Sequence, residues 1–285
     1  MASLKDLRRR IRSTRSTQQI TKAMEMVAAA KLRRAQARAI AARPYSAKLT
    51  EMLTNLAGAA GDLEHPLFKA REVKTTALVL VTADRGLCGA YNTNLMRAAE
   101  QRLRAAPAGS LQLVLVGKKG REYFKRRKFP VLASHADLPA EASVEFARAL
   151  TQELIELFTS GRVDRVEMMG TRYISALHRK IVTDVFLPVG GSAAGESPKD
   201  RGTMFEPDAA SIFAELLPRY ATARMFAGMA DALASEHSSR MVAMGAARKN
   251  AGELVDALTL LRNRLRQAAI TREIAEIVGG AEALK

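Results

Sequence analysis

The sequence predicts an α/β protein: an antiparallel two-helix coiled coil from the N- and C-terminal helices, with a central, open, mostly parallel α/β domain between them. Three observations predict it. Apolar residues recur at steps of three and four near both ends of the 285-residue chain, the spacing of a helix with one face to bury. Between the ends, short continuous apolar runs alternate with helical patterns, as buried parallel strands and their crossover helices do. Composition agrees: aromatics are 5 % and Trp is absent, while Ala and Met, both good helix formers, are plentiful.

The first element runs from Ser3 to about residue 60. Ser3 caps it and Asp6 suits the positive end of its dipole. Leu4, Leu7 and Ile11, then Ile20, Met24 and Val27, mark an apolar seam thinned by alanines such as Ala23, Ala28 and Ala35. Pro44 is expected to kink or divide this helix, because it removes a backbone donor, and Gly58 and Gly61 end the run.

From residue 75 to 190 the period changes. TTALVLVTAD and LQLVLVG read as buried strands, with VDRVEMMGTRYIS and KIVTDVFLPV as further strand candidates. NTNLMRAAEQRLRAA, GREYFKRRK and ASVEFARALTQELIELFTSG read as the helices between them. The alternation implies βαβ units and a doubly wound, Rossmann-like sheet. Residues 191–206 read as a loop or hairpin.

Residues 207–285 are helical again, with Asp208 as N-cap and Pro218 expected to interrupt the first turns. Met244, Ala247, Ala251, Leu254, Leu258, Leu261, Leu265 and Ala268 alternate at steps of three and four, a heptad seam sustained for about four heptads. Its cheapest cover is the seam at the other end of the chain, so residues 1–60 and 207–285 should pair antiparallel. The C-terminal helix is the longer of the two. Its last turns are expected to project about 25 Å past the N-terminus as a single helix that needs an outside socket.

Charge narrows the partners. The net charge is +16, and residues 1–50 hold thirteen Lys or Arg against only Asp6 and Glu25. A basic face of that size, with Arg8, Arg9, Arg33 and Arg34 prominent, calls for an acidic partner: nucleic acid, an anionic membrane surface or an acidic protein loop. A DNA-binding zipper runs its basic helix straight into the leucine seam, whereas here the two lie some 200 residues apart. Nucleic acid is therefore not expected. No apolar run of membrane-spanning length exists, and the N-terminus lacks the apolar core of a secretory signal, so a soluble, cytosol-facing chain is expected. With Cys88 as the single cysteine, an intramolecular disulfide is excluded.

Chemistry-bearing motifs are weak. DRGLCGAYNTN (Asp84–Asn94) follows a strand and opens a helix, the place where an α/β sheet puts an anion-binding loop. Its glycines, Gly86 and Gly89, match neither GxGxxG nor GxxxxGK[ST], and Gly117 and Gly120 lack the phosphate-loop spacing. Tight turns are the expected reading. Cys88 beside Arg85 reads as a small buried side chain rather than a nucleophile. His65, His135, His178 and His237 lack metal-ligand spacing. No catalytic residue, cofactor site or metal site is expected. A free-standing nucleotide- or thiol-dependent enzyme and a basic coiled-coil nucleic-acid binder are the two rival readings.

ITKAMEMVAAAKLRRAQ (Ile20–Gln36), TADRGLCGAYN (Thr82–Asn92) and RQAAITREIAEIVGGAEAL (Arg266–Leu284) together resemble the gamma subunit of F-type ATP synthases over nearly the whole chain. Ile270, Thr271, Glu273, Glu276, Gly280 and Ala281 fall at the spacing of that family's C-terminal signature. The resemblance implies a non-catalytic rotor shaft standing inside a ring of alpha and beta subunits, its α/β domain on the c-ring with the epsilon subunit. It implies a peripheral location on the cytoplasmic face of the bacterial inner membrane, with catalysis in the beta subunits. Residue by residue, it makes Arg266, Gln267 and Thr271 contacts to a beta-subunit loop, Arg240 a further polar contact, and Met24 a contact to the beta subunit's acidic lever. The basic face then meets that acidic partner. Photosynthetic relatives carry a redox-active cysteine pair that a chain with Cys88 alone cannot form.

Overall fold

A computed structural model describes residues 3–59, 65–68, 71–189 and 208–282; the loop expected over 191–206 lies outside them. In chain order the elements are α1 (Leu4–Ala59), β1 (Thr76–Val81), α2 (Tyr91–Ala105), β2 (Leu111–Val116), α3 (Lys118–Arg126), β3 (Val131–His135), α4 (Val144–Thr159), β4 (Arg165–Tyr173), β5 (Arg179–Leu187) and α5 (Ala209–Glu282). Contacts divide the chain into two units, residues 29–240 and residues 1–28 with 241–285. Both long helices contribute to both units.

The larger unit is built on a five-stranded sheet in the order β3-β2-β1-β4-β5, parallel except that β5 runs antiparallel to β4. Every residue of β1 is buried, because both faces of the sheet are covered. Ala77, Val79 and Val81 point into one core with Leu150 and Leu154 of α4, Leu53 and Leu56 of α1, and Phe213 and Leu217 of α5. Leu78 and Leu80 point into the other, against Leu95 of α2 and Phe124 of α3. Full burial of each such side chain contributes about 1.5–3 kcal/mol. The strand β3 has no counterpart in the sequence reading. It is an edge strand, and Val131 stays 41 % exposed, so VLASH carries neither a continuous apolar run nor a clean alternation.

Neither proline interrupts its helix. Pro44 lies inside α1 and Pro218 inside α5, and both helices are continuous. The carbonyls each proline frees belong to Ile40 and Ala214, residues on exposed faces, where water satisfies them at little cost. The caps agree with the sequence. Asp6 N–H donates to Ser3 Oγ at 3.1 Å, and Ser211 N–H donates to Asp208 Oδ1 at 2.8 Å.

In the smaller unit the two helices pair antiparallel. Arg248 Nε donates to Glu25 Oε2 at 2.8 Å; Gly252 lies against Gln18; Arg262 shares a cleft with Ile11, Arg12 and Arg15. Partner numbers on α5 rise as those on α1 fall. Leu4, Leu7 and Ile11 face inward as expected, but the inner row continues through Thr14, Gln18, Thr21, Glu25 and Ala28. Ile20 and Val27 are each 57 % exposed, and Met24 is half-buried. On α5 the inner row is Met244, Ala247, Ala251, Val255, Leu258, Arg262 and Leu265, while Leu254 and Leu261 are 50 % and 43 % exposed. Five of the expected positions, Met244, Ala247, Ala251, Leu258 and Leu265, hold, and in place of Leu254, Leu261 and Ala268 the covered residue is the next one along. Space explains the shift. A Cβ on Gly245 would sit 3.2 Å from Glu25 Oε1, and one on Gly252 would sit 2.8 Å from Gln18 Nε2. The glycines thus make room for polar side chains inside the seam, and a hydrophobicity pattern does not read such positions as interior.

From Ile270 to Gly280 every residue is exposed. This segment continues past the paired region for about 16 Å at 1.5 Å per residue, shorter than the projection of about 25 Å expected from the sequence.

The corrected seam is testable. Val255→Ala should destabilise the paired region by about 1–2 kcal/mol, whereas Leu254→Ala should leave it unchanged within about 0.5 kcal/mol. Amide hydrogen exchange across residues 4–28 reads both. Equal effects would contradict the register.

Candidate functional site

In a doubly wound sheet, ligands bind outside the carboxyl ends of the strands where the chain order reverses. Here that crevice lies beyond β1 and β4, and α5 fills it. Residues 235–240 read SEHSSR, six consecutive polar residues on a helix. With 3.6 residues per turn they cannot all face solvent, and the first five are at most 8 % exposed. Each of the three serine hydroxyls has found a backbone carbonyl. Ser235 Oγ donates to Thr171 O on β4 at 3.1 Å, Ser238 Oγ to Ala176 O in the β4–β5 turn at 2.6 Å, and Ser239 Oγ to Cys88 O at 2.7 Å. Tyr91, opening α2, donates its phenol to Ala232 O at 3.2 Å.

Arg240 completes this collar. Its guanidinium pairs with Glu236 at 2.7 Å and donates to Gly86 O at 3.2 Å and Arg85 O at 3.4 Å. Its contacts are therefore made within the chain, to the turn between β1 and α2. That turn is tight: Leu87 and Gly89 both have positive φ. Burial pushes the Glu236 carboxyl up despite the neighbouring guanidinium. Burial also drives the His237 imidazole down to about 4, with the charges of Arg240 and Lys31 acting the same way. The Cys88 thiol is likewise pushed up by burial, which keeps it protonated and poorly nucleophilic.

The start of α3, following β2, is the other place where this fold would hold an anion. It already holds one. Asp84 accepts Lys118 N–H at 2.8 Å and Leu138 N–H at 2.7 Å, so a carboxylate of the chain itself occupies the anion position. Gly120 N–H donates to Thr82 Oγ1 at 3.0 Å, and a Cβ on Gly117 (φ +103°) would lie 2.3 Å from Thr82 O. These glycines serve close packing between turns, as the sequence suggested. Beside them a cleft of about 300 Å³ remains, lined by Lys31, Arg85, Lys118, Asp137 and Glu236 among others. Among the described residues no group of three or more His, Cys, Asp or Glu is arranged to hold a metal ion.

Comparison with known proteins identifies the relatives. A sequence model of the ATP synthase family matches residues 3–284. The ATP synthase gamma chains of Moorella thermoacetica and Desulforamulus reducens are 47 % and 46 % identical, each aligned over all of this chain and all of the relative. The chain belongs to the ATP synthase gamma-chain family. Solved relatives include a chain of the Tetrahymena thermophila mitochondrial ATP synthase central stalk and c-ring, at TM-score 0.64 and 25 % identity, covering 80 % of this chain and 99 % of that one. A chain of the Euglena gracilis mitochondrial enzyme superposes at TM-score 0.70 and 19 % identity, covering 99 % and 94 %; this shows the shared fold. As a gamma chain the protein is a subunit of a larger complex, and no described helix is long and apolar enough to cross a membrane.

The residues that the gamma-chain resemblance singled out fall into two groups. Arg266, Gln267 and Thr271 are exposed on α5 at the end of the paired region, and Thr271 Oγ1 donates to Gln267 O at 3.0 Å. In the same unit Arg8 and Arg9 are exposed, Arg9 holding Asp6 at 3.3 Å, and Met24 is half-covered. In the larger unit Arg33 and Arg34 are exposed, Arg34 lying 3.6 Å from Glu141, and Arg240 belongs to the collar. Asp84 and the serine collar were not foreseen. The polar run SEHSSR was their one available signal.

The collar should show in acid. His237 has a folded pKa below its unfolded value, so the unfolded chain binds its proton first, and stability is lost as pH falls from about 6.5 towards about 4. Glu236, raised by burial, acts in the opposite sense. His237→Gln should therefore reduce the drop in melting temperature between neutral pH and pH 5. An unchanged drop would remove the imidazole from the acid response.

Proposed function

We propose that this chain is the central rotor shaft of a proton-driven ATP synthase, coupling rotation of a c-ring to conformational change in catalytic beta subunits. The single observation that carries the reading is the free end of α5, a lone helix that exposes Ile270, Ile274, Ile277 and Val278. An apolar face of this kind needs cover, and a hexameric head of alpha and beta subunits supplies it. Membership of the gamma-chain family supports this, as does likeness to chains from structures titled central stalk, rotor and c-ring.

In this reading the chain is non-catalytic and ATP is made in the beta subunits. The plugged crevice and the internally filled anion position support that assignment. Arg266, Gln267 and Thr271 meet a beta-subunit loop, Met24 approaches the beta subunit's acidic lever, and the arginines at 8, 9, 33 and 34 face acidic surface. Arg240 reaches a partner only if it leaves Glu236, so its role lies first in holding the turn at Gly86. The epsilon subunit and c-ring bind the α/β unit, at the cytoplasmic face of a bacterial inner membrane, where the chain is peripheral. Charged contacts suit rotation because water readily replaces them as they separate.

The test is reconstitution with an alpha–beta hexamer. The full chain should co-purify with it and show no ATP turnover alone. Deleting residues from 270 onward should leave the melting temperature within about 2 °C, because residues 270–280 are exposed. The same deletion should weaken head binding or stall torque at least about tenfold. Replacing Arg8, Arg9, Arg33 and Arg34 by Gln should also weaken assembly or torque. Turnover by the isolated chain, or full torque in both variants, would contradict the proposal.

A further inference from the structure

The α3 segment carries an unused charge. Residues 118–128, KKGREYFKRRK, hold seven basic residues against Glu122 alone. Three have partners within the chain: Lys118 with Asp137, Lys119 with Glu122, and Arg127 with Glu100. The other four, Arg121, Lys125, Arg126 and Lys128, are exposed; Arg121 and Arg126 help to hold the Glu122 carboxyl below its ordinary range, but among the described residues none of the four forms an ion pair or side-chain hydrogen bond. The helix fixes their arrangement. Its inner face is held by Phe124, fully buried, and by Gly120 on Thr82. Arg121 and Lys125 then follow at a step of four along the helix, with Arg126 beside them, and Lys128, two residues past the helix end at φ +57°, extends the basic run. Exposed Arg97 of α2, the helix that packs on α3, adds a fifth exposed cation.

Favourable charge at a helix C-terminus accounts for a basic residue or two in the last turn, but not for Arg121. The half-buried aromatics beside the run are themselves capped by cations. The Arg127 guanidinium lies 3.7 Å from the Tyr123 ring centre, and that of Arg104 lies 6.0 Å from Phe129. The outer surface is therefore a row of cations on long flexible stems, without the fixed fork geometry that picks out one carboxylate. Such a row fits a laterally mobile sheet of anions better than a folded acidic protein.

We propose that the outer face of α3 is an electrostatic contact for anionic phospholipid headgroups. This rests on the rotor reading only in placing the chain beside a membrane. A non-specific headgroup contact also has no register, so it would let the subunit turn while remaining close to the surface.

The experiment is flotation of the full chain with vesicles of phosphatidylcholine alone or with about 30 % phosphatidylglycerol, at about 0.1 M salt. Binding should appear only with the anionic lipid. Each basic residue near an anionic surface contributes about fivefold to partitioning. Replacing Arg121, Lys125, Arg126 and Lys128 with Gln should therefore lower binding at least about fiftyfold without changing the melting temperature. Replacing Arg8, Arg12, Arg15 and Arg262 with Gln, an equal loss of charge elsewhere, should leave it within about threefold. Undiminished binding of the α3 variant, greater loss in the second variant, no preference for anionic lipid, or binding of RNA in place of vesicles would each overturn the proposal. Head co-purification by the α3 variant separates its failure from failure of the rotor reading.

Discussion

The helix α5 has to be covered twice, in two different chemistries. Along residues 235–240 it carries consecutive polar side chains that no solvent face could accommodate together, and they are satisfied by carbonyls of β4, the β4–β5 turn and the loop after β1. Along residues 241–269 it carries a heptad row that α1 covers in the antiparallel sense. The serine hydroxyls are the more demanding of the two, since a buried donor left unpaired costs about 1–3 kcal/mol. The α/β unit therefore meets α5 with its own backbone, at the place where other sheets of this type receive a ligand.

Much of this was legible in the sequence. β1 and β2 are continuous apolar runs because both their faces are covered, and α2 and α4 show their inner faces at helical spacing. The antiparallel pairing followed from two seams that needed cover, and the overhang from their unequal lengths. β3 escaped notice because an edge strand of five residues with partly exposed side chains has no strong pattern. A kink or break was expected at Pro44 and Pro218 because the rule concerns the lost bond; the helices run on without a break because the freed carbonyls lie on exposed faces.

The seam shows a subtler failure. Reading Leu254 and Leu261 as interior follows from their hydrophobicity, yet Val255 and Arg262 take those places. Glu25 and Gln18 are admitted inside because Gly245 and Gly252 face them. This displaces apolar side chains outward, where a subunit of a larger complex has partners for them. The same applies to the site: Asp84 was visible, but its position against two backbone donors depended on β2 and β3 bringing Lys118 and Leu138 to it.

The central claim is the antiparallel pairing of α1 with α5, and distances between spin labels test it most directly. With Cys88 replaced by Ser, labels at exposed positions 10 and 264 should lie within about 20 Å, since packed helix axes are 8–10 Å apart. Labels at 10 and 249 should lie beyond about 25 Å, because fifteen residues of helix separate 249 from 264. The reverse order, or broad distributions for both pairs, would show that the two helices do not pair as described.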